Sequence, residues 1–470
     1  MSRSGGHCDD PWYPNLSAPL WNSGDIPGNK RICVLGELHR GTTLRSVTSR
    51  SARAGIGGRS RGRRGLAAHL ALEEAMHMKA VTWHGKRDVR VESVPDPVIE
   101  EPTDAIIEIT STNICGSDLH LYEVLGAFMN PGDILGHEPM GIVREVGRDI
   151  TNLAVGDRVV IPFQISCGSC YMCDLQLYTQ CEITQVRDQG MGAALFGYSE
   201  LYGAVPGGQA ELLRVPQAQF THIKVPVGPP DSRYVYLSDV LPTAWQAVSY
   251  AAIPAGGSVT VLGLGPIGDM AARIAAHLGY EVIAVDRIRE RLARAEGRGI
   301  RTIDLEDAGD KLADAIRDLT DGRGTDSVID AVGMEAHGSP VAKLAQQITG
   351  LLPDALAKPM MQKAGVDRLD ALYSAIDIVR RGGTISLIGV YGGMADPLPM
   401  LTLFDKQVQL RMGQANVKKW VGDIMPLLTD EDPLGVDSFA THILPLAEAP
   451  RAYDIFQKKD DGAVKIVLRP

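Results

Sequence analysis

The spacing of apolar and polar positions changes character twice along this chain. Residues 1–77 show neither a helical nor a strand period; near their centre they read RSVTSRSARAGIGGRSRGRRG, a run of Arg, Ser and Gly that offers no face to bury. From Met78 to about Val225, short stretches such as DAIIEITST, GIVREVG and VGDRVVIP sit between Pro and Gly breaks, which predicts an all-β, barrel-like module. From about Leu241 the period switches. SVTVLGLG is a buried strand, PIGDMAARIAAHLG an amphipathic helix and EVIAVD the next strand; DSVIDAVG and GGTISLIGV continue the series. Strands alternating with helices predict a doubly wound, parallel α/β sheet. After about Ala395 the chain returns to short β-like pieces, VQLRMG and AVKIVLRP, expected to rejoin the first module.

Length and charge narrow the classes. A chain of 470 residues makes two or more domains. Its net charge of −10 gives the whole protein no general attraction for nucleic acid or anionic membranes, so neither is expected as a partner. No stretch is apolar for long enough to span a bilayer. Of seven cysteines, four fall in one short cluster, which fits thiolate metal ligation in a reducing, cytoplasmic compartment better than a disulfide framework. Residues 1–77 are expected to be disordered and without function, an extension from an upstream start codon, with a natural-looking start at Met78. Their arginines leave a transit peptide or an RNA-binding arm as the alternatives. The Arg63-Arg64 pair precedes a segment too short and too acidic for a secretory signal.

GLGPIG places Gly263, Gly265 and Gly268 between a predicted strand and a predicted helix, and Asp286 closes the strand that follows. The glycines permit the tight turn and let a pyrophosphate approach the helix N-terminus. Asp286 is expected to bond the ribose diol of NAD. Against the 2′-phosphate of NADP, two unit charges ~4 Å apart at an effective dielectric of ~20 repel by about 4 kcal/mol. Arg287, next door, works the other way, since it would meet that phosphate.

CGSCYMCDLQLYTQC carries Cys167, Cys170, Cys173 and Cys181. Four thiolates at this spacing can close a tetrahedral shell around zinc, and a closed shell leaves no position for chemistry. An iron–sulfur site or a zinc-ribbon nucleic-acid module are the alternatives. CGSDLH supplies Cys115, Ser117, Asp118 and His120; GHEPMGIVREVG supplies His137 and Glu138. One thiolate and one imidazole are two of the three protein ligands a catalytic zinc requires. No cysteine of the globular part is left for the third. YLSDVLPTAW holds Asp239 after Ser238 and before an apolar run, which on local grounds is a helix start with a side-chain cap.

On these motifs the chain from Met78 to Pro470 resembles the zinc-dependent medium-chain alcohol dehydrogenases. Gly136-His137-Glu138 with Gly141 and Gly147 is similar to the family's zinc signature, the four-cysteine lobe to its structural site and GLGPIG to its cofactor loop. The family usually has cysteine where Asp239 stands. The subgroup of glutathione-independent formaldehyde dehydrogenases has aspartate, so the resemblance implies that Asp239 is the third zinc ligand. It implies a GroES-like β-barrel catalytic domain over 78–240, completed by 396–470, and a Rossmann NAD-binding domain over 241–395. It further implies two zinc ions, one catalytic and one structural, and hydride transfer from a small alcohol or hydrated formaldehyde to NAD. Ser117 and His120 match a proton relay, Asp118 a carboxylate orienting His137, and Thr243 a residue packing on nicotinamide. Glu138 is either an exchangeable ligand or a buried charge balancing the site. The same chemistry on a polyol or a threonine-like amino alcohol, or aldehyde dismutation with retained NAD, are the alternatives. A homo-oligomer, dimer or tetramer, is expected. The segment 334–380 exceeds a simple crossover and is expected near the cofactor or in a subunit interface.

Overall fold

The computed structural model describes residues 77–333, 369–391 and 397–470. The expectations placed on residues 1–76 and on 334–368 lie outside the described residues. Among the described residues no helix is long and apolar enough to cross a membrane.

The strand Ala105–Ile114 organises the first sheet. Its burial alternates around exposed Glu108, with Ala105, Ile107 and Ile109 turned into one core beside Val143, Val159 and Leu213. It pairs antiparallel with Pro139–Val146, with Leu212–Val215 near its start and with Ile466–Arg469 near its end. The neighbours outward are Arg158–Val160 and Ile223–Lys224 on one side and His442–Pro445 on the other. A separate hairpin, His77–Gly85 with Asp88–Pro95, packs Val81 and Trp83 against Leu121, Tyr453 and Ile466. The last residues of the chain therefore lie in the same sheet as residues 105–114.

The second sheet is parallel, in the order Arg301–Asp304, Glu281–Asp286, Ser258–Leu262, Thr325–Asp330, Val379–Leu387, Gln409–Met412. Val259 and Val261 face one apolar cluster while Leu262, Val328 and Ile385 face another. Both faces are covered, which is why these strands read as apolar runs rather than alternations. The strand order reverses between Ser258–Leu262 and Thr325–Asp330, and such a reversal opens a crevice at the carboxyl ends of the strands.

One expected boundary moves. Sequence pattern ended this domain at residue 395 and assigned VQLRMG to the returning tail. Gln409–Met412 instead pairs in parallel with Val379–Leu387 and forms the sheet's edge. A four-residue strand carries the same pattern in either sheet, so only its neighbours decide membership. The helix Val240–Ala251 joins the two modules: Val240, Leu241 and Ala244 share a core with Met140 and Val160 of the first sheet and Val259 and Val261 of the second.

Candidate metal centres and cofactor cleft

Three chain segments converge on one buried cluster. Cys115 follows the central strand and stands at the N-cap of the helix Gly116–Glu123. His137 and Glu138 lead into Pro139–Val146, and Asp239 stands at the N-cap of Val240–Ala251. The ligand atoms of Cys115, His137, Glu138 and Asp239 lie within 4.8 Å of one another, and all four residues are buried. Asp239 is where a helix start was expected, but its carboxylate makes no capping bond. Its Oδ1 accepts from Thr243 Oγ1 at 2.5 Å, and its Oδ2 faces Cys115 Sγ at 3.4 Å and His137 Nε2 at 3.6 Å.

These distances suit a tetrahedral zinc ion. Zn–S of about 2.3 Å and Zn–O or Zn–N of about 2.0–2.1 Å give S···O and N···O edges of about 3.3–3.5 Å. The electrostatics agree. Burial, then the carboxylates of Asp239 and Glu138, push the Cys115 thiol up to about 12. Burial disfavours the His137 cation, yet Asp118, Asp239 and Cys115 outweigh it and raise the ring well above the ordinary histidine range. A thiol and two carboxylates crowded in a dry site are a poor arrangement alone, and a divalent cation among them reverses that balance.

Neighbours fix the donors. Asp118 Oδ1 faces His137 Nδ1 at 3.2 Å, which leaves Nε2 directed at the cluster. Asp118 Oδ2 accepts from the Cys115 N–H at 2.8 Å and from Gln209 Nε2 at 3.3 Å. Glu138 Oε1 lies 2.5 Å from Lys465 Nζ, both side chains fully buried, and Glu138 Oε2 accepts from Asn113 Nδ2 at 2.8 Å. Lys465 was not anticipated. Its signal is a lone lysine inside the apolar run Ala463-Val464-Lys465-Ile466-Val467, since lysine is almost never fully buried without a partner.

The second cluster is made by Cys167, Cys170, Cys173 and Cys181 in one short lobe. All are free thiols. The Cys167–Cys173 and Cys170–Cys181 sulfurs stand 4.0 and 3.9 Å apart, close to the about 3.8 Å edge of a zinc tetrathiolate and far beyond the about 2.05 Å of a disulfide. Backbone N–H groups point at the sulfurs: Cys167 at Cys181 Sγ, Ser169 at Cys167 Sγ and Glu182 at Cys170 Sγ. Burial raises the Cys170 thiol, but N–H groups of Cys173 and Glu182 outweigh it and bring it down to about 6. The donor set fits a closed zinc shell.

A cleft of 1170 Å³ connects the first cluster to the glycine loop: Cys115, Ser117 and His120 line it together with Gly263, Gly265, Asp286 and Arg291. A Cβ on Gly268 would lie 1.7 Å from the Gly263 carbonyl, so this turn closes on glycine there, whereas a Cβ on Gly265 meets only Arg291 at 3.9 Å. The backbone is open to a ligand at Gly265 and packed at Gly268, as a dinucleotide loop requires. Asp286 Oδ2 accepts from the Leu264 N–H at 2.6 Å and Oδ1 from those of Arg287 and Ile288 at 2.7 and 2.9 Å. The Arg287 guanidinium is held by Glu306 at 2.8 Å. Arg291, on the helix Arg289–Glu296, stands 3.8 Å from Asp286 Oδ2 instead; it was not anticipated. Thr243 is not among the residues lining this cleft, and its hydroxyl is committed to Asp239.

The sequence matches two family models, "Alcohol dehydrogenase GroES-like domain" over residues 101–226 and "Zinc-binding dehydrogenase" over residues 266–347. It is 42% identical over 399 residues, 84% of this chain and 100% of the relative, to the uncharacterized zinc-type alcohol dehydrogenase-like protein AdhB of Bacillus subtilis (strain 168). It is 33% identical over 420 residues, 83% of this chain and 97% of the relative, to a formaldehyde dismutase of Pseudomonas putida. Among solved structures, the alcohol dehydrogenase TADH from Thermus sp. ATN1 superposes with a TM-score of 0.68 at 34% identity, over 83% of this chain and 99% of that one. Matching in both modules and along almost the full length of these relatives, the chain belongs to the zinc-dependent medium-chain alcohol dehydrogenase family, with formaldehyde-converting enzymes among its relatives.

Proposed function

We propose that this protein oxidises a small alcohol or hydrated formaldehyde with NAD, using one catalytic and one structural zinc ion. The single observation that carries the reading is the shared cleft: Cys115, whose thiol clusters with His137 and Asp239, lines the same space as Gly263 and Gly265 of the glycine loop. When bound, zinc supplies a Lewis acid for the substrate oxygen and NAD the hydride acceptor. Cys115, His137 and Asp239 hold the catalytic ion, with Glu138 at its side and Lys465 compensating that carboxylate. Asp118 keeps the His137 ring in the tautomer whose Nε2 lone pair faces the ion. Ser117 and His120, both on the cleft wall, take the proton of the substrate hydroxyl toward solvent. Cys167, Cys170, Cys173 and Cys181 hold the structural ion.

Selection of NAD rests on Asp286, whose carboxylate is fixed by three backbone N–H groups where a 2′-phosphate would sit, while Arg287 is occupied by Glu306. Arg291 lies beside Gly265 of the same loop, where it would meet a cofactor phosphate. The working form is proposed to be a homo-oligomer. The name of the Pseudomonas putida relative favours a second reading, aldehyde dismutation with the cofactor retained. Incubating the purified protein with NAD and formaldehyde, without glutathione, tests both. NADH release supports the dehydrogenase; formaldehyde loss without free NADH supports the dismutase. No conversion of formaldehyde or of simple alcohols overturns both.

A further inference from the structure

The helix that begins at Asp239 carries a second buried polar residue on the same face. Gln246 lies two turns on, which returns it to the side of Asp239, and it is fully buried. Every hydrogen-bonding position of its amide is used. Nε2 donates to the carbonyls of Gly413 and Gln414 at 3.1 and 3.0 Å, while Oε1 accepts from the Asn416 N–H at 3.0 Å and from Trp420 Nε1 at 3.1 Å. Residues 413–416 form the strap between the edge strand Gln409–Met412 and the helix Val417–Ile424.

The network continues into the four-cysteine lobe. Asn416, also buried, accepts on Oδ1 from the Thr179 N–H at 3.1 Å and from Thr179 Oγ1 at 3.2 Å. Thr179 sits in the turn Tyr178–Gln180, immediately before Cys181. Lys418, two residues on, clamps the same seam by donating to the carbonyls of Phe220 and His222 at 2.6 and 2.9 Å, and the Phe220 ring packs on Tyr178 at 5.1 Å.

We propose that Gln246 and Asn416 are positioning residues that tie the four-cysteine lobe to the helix carrying Asp239, so that the fold of the lobe sets where the catalytic carboxylate stands. The inference rests on Asp239 being a zinc ligand, as proposed above. Its physical basis is the difference between apolar and amide contacts. Apolar burial is non-directional, so the apolar side chains of this helix set its register less strictly than directional bonds do. Four amide bonds to one buried glutamine, and two more to one buried asparagine, are satisfied together only in one register, and a partly satisfied buried network is costly. A slide of about 1 Å at the helix start costs up to about 100-fold in rate when it misplaces a reacting geometry.

The test uses the zinc-loaded, full-length protein and two substitutions at one position. Asn416→Ala removes the acceptor for Thr179. Asn416→Asp keeps both acceptor positions, and aspartate suits the N-cap that Asn416 occupies. Amide hydrogen exchange over residues 240–246, kcat and the KM for NAD are read on each. The expected result is faster exchange over 240–246 and a kcat lower by about 10–100-fold in Asn416→Ala, with KM for NAD unchanged and Asn416→Asp restoring both. Should Asn416→Ala fail to fold, Thr179→Ala, which deletes one of the two bonds, is expected to give the same changes at smaller size. A variant with a lowered melting temperature but native kcat and native exchange over 240–246 overturns the proposal. If the unaltered protein oxidises no alcohol, the functional reading falls, and faster exchange over 240–246 in Asn416→Ala still supports the tie.

Discussion

Thr243 Oγ1 donates to Asp239 Oδ1 at 2.5 Å, one helical turn along from the carboxylate it holds. This bond occupies one oxygen of Asp239 and leaves the other, Oδ2, facing Cys115 and His137. On the proposed reading of Asp239 as a zinc ligand, it selects which oxygen is presented to the metal. The resemblance assigns Thr243 to the nicotinamide, and a hydroxyl bonded to Asp239 is compatible with that. With Asp239 read as a zinc ligand, Thr243 is also an orienting partner of a donor, the kind of contact whose loss typically costs about 10–100-fold in metal affinity.

Thr243→Val, nearly isosteric but without the hydroxyl, is expected to weaken retention of one of two zinc ions by about 10–100-fold against a chelator. Thr243→Ser is expected to retain it. Asp239→Ala is expected to hold one zinc per chain with the fold intact by circular dichroism. Two tightly held zinc ions in Asp239→Ala would remove Asp239 from the metal site and Thr243 with it.

Lys465 and Glu138 form an ion pair with no exposed side-chain surface on either partner. Deleting one member of such a pair typically costs about 3–5 kcal/mol, because the other charge stays buried and unpaired. Urea unfolding of Lys465→Met is expected to show a loss of this order, most of it recovered in the double variant Lys465→Met, Glu138→Gln. A single variant as stable as the native protein contradicts the pairing.

Asp286→Ser removes the carboxylate while keeping a hydrogen-bonding side chain. Relief of a repulsion of up to about 4 kcal/mol corresponds to a gain of up to about 1000-fold for NADP relative to NAD, less in salt. The ratio of kcat/KM for the two cofactors checks it. An unchanged ratio would place selection elsewhere in the cleft, with Arg291 as the first candidate.

Burial lowers the Lys418 amine from its ordinary 10.5 to about 8. Below about pH 8 the ammonium is present in both folded and unfolded chains, and the folded chain bears the cost of burying it. Between about 8 and 10.5 the unfolded chain holds more protons, so this residue makes stability rise with pH across that window. Lys418→Gln is expected to flatten the rise in urea midpoint relative to the native protein between about pH 7.5 and pH 10. Parallel pH profiles for the two proteins would disprove the assignment.

Much of this molecule is legible before any folding is considered. The β-module and the parallel α/β module follow from a change of apolar period near Leu241, because side-chain period is a local property of strand and helix. The four-cysteine lobe and the glycine loop are contiguous in sequence, so their chemistry is written at fixed spacing. The rest is not local. VQLRMG belongs to the parallel sheet because Val379–Leu387 lies beside it, a fact absent from its own pattern. Lys465 and Glu138 meet across more than three hundred residues, and Gln246 finds its partners only where the 413–420 strap passes the helix. Asp239 shows the division most clearly. Its place at a helix start follows from the residues around it, but whether its carboxylate caps that helix or faces a thiol and an imidazole depends on segments 115 and 137 arriving within 4.8 Å. Backbone preference is set by nearest neighbours; the direction of a buried carboxylate is set by the charges and donors that the fold brings to it.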